Sequence, residues 1–120
     1  MNRPPYTFWN RLACSWSGVV QGCRSERHMR VHLVALVLVL IAGWWFGLDR
    51  LEWVAILLVS GLVISMELLN SALEESLDRL HPDLHPAIGR AKDMASGAVL
   101  VAAIIALSIA ALIFLPRMFG

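Results

Sequence analysis

The sequence has little charge, little cysteine and no obvious targeting segment. Charged residues make up 16% of the 120 residues and the net charge is +1, so the chain has no basic surplus that would attract nucleic acid. The two cysteines, Cys14 and Cys23, follow neither a disulfide framework nor a zinc-ligand spacing, and we expect both to be reduced thiols. No signal-peptide cleavage pattern follows a short apolar core, so we predict that the first long apolar run is retained.

The common nucleotide-binding loops are also missing. The sequence contains no Gly-x-x-x-x-Gly-Lys-Ser/Thr loop, no Gly-rich kinase loop and no His-Arg-Asp motif. These absences exclude the common nucleotide-binding folds. Any nucleotide would therefore have to be held by the surfaces of helices.

Apolar residues are what the sequence has in abundance. They make up 58% of the chain, and the mean hydropathy is +0.68, too apolar for an ordinary soluble domain. Three runs, at about residues 31–48, 51–69 and 94–115, approach the roughly 20 residues that a helix needs to cross a bilayer. Before them, residues 6–30 mix aromatic side chains with arginines, as an amphipathic interfacial helix does. We therefore predict an all-α membrane protein with one domain over residues 1–120.

The distribution of basic residues predicts the orientation in the membrane. Most arginines and the one lysine precede the first run or lie between the second and third runs, whereas Arg50 and Arg117 remain for the other side. Cytoplasmic loops carry the excess of basic residues. We therefore expect the N-terminus and the second loop to be cytoplasmic. Trp44, Trp45 and Trp53 flank the short first loop, as interfacial tryptophans do.

A polar stripe interrupts the second apolar segment. Glu67, Asn70, Glu74 and Asp78 follow one another in steps of three, four and four residues, which places them within about 80° on one face of a helix. We predict that this helix continues to about Leu80, where a proline-containing turn ends it, and that Pro86 can then begin the third apolar helix. Ionisable residues near bilayer depth are costly and mark a pathway, a partner or a site. The stripe is therefore the candidate functional site.

The residue types at the cytoplasmic end suit phosphoryl transfer. Carboxylates can hold Mg²⁺ against nucleotide phosphates, cations can neutralise a phosphoryl group, and a further carboxylate can take a hydroxyl proton. The deepest carboxylate, Glu67, is the candidate general base. The predicted cluster consists of Glu26, Arg30, Glu67, Asn70, Glu74, Asp78, Arg90, Lys92 and Asp93.

Three other interpretations of these residues are open. The stripe can serve only to join helices through hydrogen bonds. Glu67 can be the titrating group of a small proton-coupled transporter. His81 and His85, four residues apart, can bind a metal, although Pro82 disfavours a regular helical pair.

Two long motifs resemble the small prokaryotic diacylglycerol kinase and undecaprenol kinase family. The first is Glu-Leu-Leu-Asn-Ser-Ala-Leu-Glu from Glu67, followed by Asp78-Arg79, and the second is Gly-Arg-Ala-Lys-Asp-Met-Ala-Ser-Gly-Ala-Val-Leu over residues 89–100. The stretch over residues 25–33 matches as well. This resemblance implies an inner-membrane homotrimer with shared active sites. It also implies transfer of the γ-phosphate of ATP, with Mg²⁺, to the hydroxyl of diacylglycerol or undecaprenol.

The resemblance also assigns roles to individual residues. Glu67 takes the catalytic-base position, and Glu26 and Glu74 take the magnesium and nucleotide positions. Thr7 and Cys14 differ from the diacylglycerol kinase branch, which has an arginine and a nucleotide-facing tyrosine there, whereas the stretch that begins at Glu26 looks more like the undecaprenol kinase branch. The other implied positions are Asn70 and Asp78 in the active site, Asp83, His85, Lys92 and Asp93 at the nucleotide, and Arg30 and Ser96 near the lipid.

Overall fold

A computed structural model describes residues 7–83 and 85–120, and this part of the chain forms four α-helices. They are α1 (Phe8–Ser25), α2 (Arg27–Phe46), α3 (Arg50–Leu80) and α4 (Pro86–Phe119). Within the described residues, α2, α3 and α4 are long and apolar enough to cross a membrane. The predicted all-helical class with three apolar helices is confirmed. The predicted start of the amphipathic helix at residue 6 lies outside the described residues.

The first two helices meet at Glu26 and not near residue 30, where the amphipathic helix was predicted to end. Glu26 is extended, with φ −95° and ψ 123°, so the helical path is interrupted at this residue. Its backbone N–H donates to the Gly22 carbonyl at 3.2 Å, and the Arg30 guanidinium donates to the Arg24 carbonyl at 3.2 Å. The first of these is the last i→i−4 backbone bond of α1, and the second satisfies a carbonyl that the end of α1 leaves without a helical partner. The boundary is therefore supported by a side chain that follows it.

A tight turn joins α2 to α3. Gly47 ends α2 with φ 68°, a left-handed conformation that favours glycine. Asp49 then caps α3: its side chain accepts from the Glu52 N–H at 2.9 Å, and the Glu52 side chain accepts from the Asp49 N–H at 3.0 Å. This capping box satisfies two backbone donors that no helical carbonyl can reach. Trp44 and Trp45 beside the turn are exposed, as interfacial tryptophans are expected to be.

The turn between α3 and α4 follows the predicted boundaries. α3 ends at Leu80, and Pro86 occupies the first turn of α4, where its missing N–H costs nothing. His85 caps α4, because its Nδ1 accepts a hydrogen bond of 3.0 Å from the Ala87 N–H. The prolines therefore separate two helices that pack closely against each other.

The small core is centred on α3, which contacts the other three helices. One face of α3 buries Ile56, Val59, Val63 and Glu67, in steps of three, four and four residues. In the C-terminal half of α3, the tip of the Leu68 side chain packs against Gly22 of α1, where an added Cβ would meet it. This contact fixes the end of α1 beside the polar part of α3. The other buried side chains of the described residues are Met29, Leu48 and Ala102.

Replacing Gly43 with alanine is expected to destabilise the α2–α3 hairpin. A Cβ at this position would lie 2.8 Å from Trp53 Cη2 and 3.0 Å from Leu48 Cδ1, and the rigid indole ring cannot yield by rotating its tip. We expect a loss of about 1–3 kcal/mol in the free energy of unfolding, measured as the SDS fraction of mixed micelles is raised. Gly61→Ala is the control, because a Cβ there meets nothing within 4 Å. Equal losses in both variants would contradict this packing.

Candidate functional site

The polar face of α3, defined as Glu67, Asn70, Glu74 and Asp78, continues the buried row of the same helix. Glu67 closes that row and is 3% exposed. Asn70 and Glu74 are half-buried, and Asp78 is exposed. The four side chains therefore lead from the protein interior to its surface along one helix face.

His32 of α2 faces Glu67 across the helix interface. Its Nε2 lies 3.5 Å from Glu67 Oε2, and the two side chains are 19% and 5% exposed. The predicted site does not include His32, although two signals in the sequence point to it. It is the only ionisable residue in the predicted span over residues 31–48, and it lies in the stretch over residues 25–33 that resembles the family.

Asn70 lies one helical turn beyond Glu67 and presents a buried acceptor. Its Oδ1 accepts no hydrogen bond from any of the described groups. An unpaired buried carbonyl oxygen costs about 1–3 kcal/mol. Asn70 is therefore an acceptor suited to a hydroxyl or amide donor that enters beside Glu67.

The acidic cavity, of about 430 Å³, lies between the end of α1 and the C-terminal part of α3. It brings together Glu26 and Glu74, which the sequence places 48 residues apart. The extended backbone at Glu26 and the packing of α1 on α3 produce this meeting. The residues that line the acidic cavity are Ser25, Glu26, Ser71, Glu74, Glu75, Asp78 and Arg79.

The acidic cavity suits a Mg²⁺ ion that phosphates and water help to bind. It does not suit a metal that needs a full set of protein ligands. Among residues 7–83 and 85–120, no three His, Cys, Asp or Glu side chains gather closely enough to hold a metal. Mg²⁺ is usually held by one or two carboxylates together with substrate phosphates and water. Glu26 and Glu74 provide such a pair. His81 and His85 have no third described ligand with which to bind zinc.

The linker cavity, also of about 430 Å³, lies at the α3–α4 turn. Asp78 lines both this cavity and the acidic cavity, and forms an ion pair with Lys92 of α4. Nδ1 of His85 accepts the hydrogen bond that caps α4. A neutral His85 ring therefore carries its proton on Nε2 and can donate a hydrogen bond from that atom. The residues that line the linker cavity are Asp78, His81, Pro82, Asp83, His85, Pro86, Ile88, Gly89 and Lys92.

Several predicted site residues lie outside both cavities in this chain. Glu67 and Asn70 lie deeper on α3, Arg90 is exposed on α4, and Asp93, Arg30 and Ser96 lie elsewhere. Asp93 is exposed beside Lys92 but does not line either cavity, because neighbouring helical residues point about 100° apart. Arg30 is exposed and donates to the end of α1. Ser96 is exposed on α4. Thr7, where the diacylglycerol kinase branch has an arginine, caps α1 by accepting from the Asn10 N–H at 3.2 Å.

A comparison with known proteins identifies the family. Residues 13–114 match the family model described as prokaryotic diacylglycerol kinase. The chain belongs to the prokaryotic diacylglycerol kinase family. The matched range contains every predicted site residue from Glu26 to Ser96 and His32 as well.

Individual members of the family cover most of this chain. The undecaprenol kinase of Bacillus subtilis (strain 168) is 39% identical over 111 residues, which cover 92% of this chain and 90% of the relative. The diacylglycerol kinase of Escherichia coli (strain K12) is 38% identical over 92 residues, which cover 77% of this chain and 75% of the relative. The predicted family is confirmed, and the chain is a lipid kinase.

Proposed function

We propose that this chain transfers the γ-phosphate of ATP to the hydroxyl of a membrane lipid alcohol at the cytoplasmic face of the inner membrane. One observation carries the proposal: a buried carboxylate, Glu67, shares a helix face with the two polar cavities at the end of that helix. A lipid hydroxyl needs a base within the lipid layer, whereas ATP needs charged ligands in water. A single face of α3 supplies both.

The length of α3 supports this division. With the turn beside Trp44 and Trp45 at one membrane surface, Glu67 lies about 26 Å along the helix from Arg50, at 1.5 Å per residue. The hydrocarbon core is about 30 Å thick. Glu67 therefore falls just inside the far boundary of the core. Asp78, about 16 Å further along, lies on the aqueous side.

Glu67 acts as the general base in this mechanism. Its carboxylate takes the proton of the lipid hydroxyl as the hydroxyl oxygen bonds to the γ-phosphorus. The bond from that phosphorus to the oxygen bridging the β- and γ-phosphates then breaks, and ADP leaves. The products are a lipid phosphate and ADP, and the proton on Glu67 returns to solvent. Asn70, one turn away, accepts a donor from the bound substrates.

The two cavities supply the nucleotide site. Glu26 and Glu74 would hold Mg²⁺, which when bound neutralises phosphate charge. Lys92 carries positive charge towards the phosphates, and Asp78 holds its ammonium group in place. Asp83 and His85 line the linker cavity, where they hydrogen-bond the rest of the nucleotide. Positioning and charge neutralisation are the main sources of catalysis in phosphoryl transfer.

We also propose that α1 lies on the cytoplasmic membrane surface. Its large apolar side chains, Phe8, Trp9, Leu12 and Trp16, are all exposed, and their spacing places them within about 100° on one face. Lipid contact would remove this apolar face from water. The excess of basic residues at the N-terminus and in the second loop supports a cytoplasmic location for both.

We further propose that the active form is a homotrimer with shared sites, as the family resemblance implies. A single chain buries few apolar side chains, and large ones remain exposed on α2, α3 and α4, where lipid or other copies can cover them. Arg30, Asp93 and Ser96 lie outside the two cavities of one chain. In a trimer they are available to the site of a neighbouring copy.

The acceptor lipid is diacylglycerol or undecaprenol. The relative named diacylglycerol kinase is 38% identical to this chain, and the relative named undecaprenol kinase is 39% identical. Sequence identity therefore does not separate the two acceptors. Membership of a kinase family favours an enzyme over a proton-coupled transporter. A kinase assay that compares the two lipids side by side in mixed micelles decides the acceptor.

Replacing Glu67 with glutamine is expected to lower lipid phosphorylation about 100-fold or more, because the amide cannot take the hydroxyl proton. The assay follows transfer of labelled γ-phosphate from ATP to diacylglycerol or to undecaprenol. Nucleotide affinity is expected to remain near that of the wild type, since Glu67 does not line either polar cavity.

Glu52→Gln is the matched control for this variant. Glu52 lies at the opposite end of α3, where it pairs with Arg117, and glutamine can keep both that contact and the capping box. Near-normal turnover is expected for the control. Wild-type turnover in Glu67→Gln would contradict the base assignment, and failure of the wild type to phosphorylate any lipid alcohol would contradict the function.

Replacing Glu74 with alanine is expected to weaken Mg²⁺-dependent ATP binding about tenfold or more, because one of two proposed metal ligands is lost. The measurement is titration of ATP into the purified protein at several Mg²⁺ concentrations. Glu75→Ala is the control: Glu75 lines the same cavity, but it pairs with Arg79 at 3.8 Å in an exposed, weak contact. Equal losses of affinity in the two variants would show that general acidity, and not Glu74, matters.

A further inference from the structure

The contact between His32 and Glu67 joins two ionisable side chains inside a membrane-spanning pair of helices. The imidazole Nε2 is 3.5 Å from Glu67 Oε2, and both side chains are largely buried. Among the described residues, no other basic side chain lies within ion-pair distance of Glu67. Arginine or lysine at this depth would place a permanent charge in hydrocarbon, whereas imidazole can donate a hydrogen bond while neutral. His32 is therefore a suitable partner for a buried base.

His32 also lies between Glu67 and an apolar cavity. This open cavity, of about 270 Å³, is lined by residues of α2, α3 and α4, and its lining is apolar except for His32 and Ser60. The imidazole thus has a carboxylate within ion-pair distance and a hydrocarbon-like space beside it.

We propose that His32 is a positioning residue for Glu67, an inference that rests on the proposed function. Nε2–H holds Oε2 of the carboxylate, which leaves Oε1 to take the proton of the lipid hydroxyl. The 3.5 Å separation is longer than a well-formed hydrogen bond, as is common for catalytic pairs before substrate binds. His32 does not touch the reacting atoms. It acts by fixing the carboxylate that does.

Two substitutions of His32 separate positioning from packing. His32→Leu keeps an apolar filling but removes the donor, and is expected to lower kcat about tenfold to a hundredfold. KM for ATP and for the lipid is expected to change less than about twofold, because neither substrate touches the donor. His32→Gln places an amide N–H near the position of Nε2, and is expected to recover kcat to within about threefold of the wild type. Unchanged kcat in His32→Leu, or no recovery in His32→Gln, would overturn the proposal.

The double variant His32→Leu/Glu67→Gln tests whether the effect acts through Glu67. Residues that act as a unit are non-additive, so His32→Leu is expected to lower the residual rate of Glu67→Gln less than about twofold. A purely structural role would instead multiply the two losses. Multiplied losses would overturn the proposal.

A measurement that needs no turnover tests the contact itself. The full-length protein is labelled with ¹⁵N-histidine in lipid vesicles, and the His32 ring signals are those that disappear in His32→Gln. They are expected to shift in Glu67→Gln, because the partner of Nε2 changes from a carboxylate to an amide. Unshifted signals would overturn the proposal. Shifted signals in a wild-type protein that phosphorylates no lipid would instead support the contact and reject the proposed kinase reaction.

Discussion

The structure depends on one face of α3 that changes from apolar to polar without changing direction. Ile56, Val59 and Val63 bury the lower part of this face against the other helices, and Glu67 continues the same row. Glu67 lies four residues after Val63 and therefore on the same helix face, where His32 of α2 lies against it. The burial of Glu67 follows from the packing of α3. The contact with His32 offsets part of the free-energy cost of burying this carboxylate.

The helices around α3 bring ionisable side chains to successive positions along this face. α2 brings His32 to Glu67, the end of α1 brings Glu26 to the acidic cavity, and α4 brings Lys92 to Asp78. At the opposite end, the Glu52–Arg117 ion pair joins α3 to α4, with both side chains mostly buried. α3 is thus held to its neighbours at both ends. In the proposed reaction, the lipid hydroxyl and the nucleotide would meet where these positions adjoin, between Glu67 and Glu74.

Local sequence patterns were enough to predict the main elements of the fold. They predicted the polar face of α3, the end of α3 at Leu80 and the start of α4 at Pro86, because periodicity and proline chemistry are local. The break at Glu26 was not predicted, since it depends on the hydrogen bond that Arg30 donates across it to the Arg24 carbonyl and on the packing of α1 against α3. The partnership of His32 with Glu67 also escaped prediction. It depends on how far α2 is displaced along α3, which neither helix encodes alone.

We propose that the polar face of α3 runs from the lipid layer at Glu67 to water at Asp78. The most direct test is a measurement of membrane depth along α3. Cys14 and Cys23 are replaced by serine, and a nitroxide is placed at Leu69 or at Leu80, both exposed on α3. In reconstituted vesicles, the label at Leu69 should collide with oxygen and avoid a water-soluble nickel complex, whereas the label at Leu80, about 16 Å further along, should do the opposite. Equal access of the nickel complex to both labels would contradict a catalytic carboxylate at lipid depth.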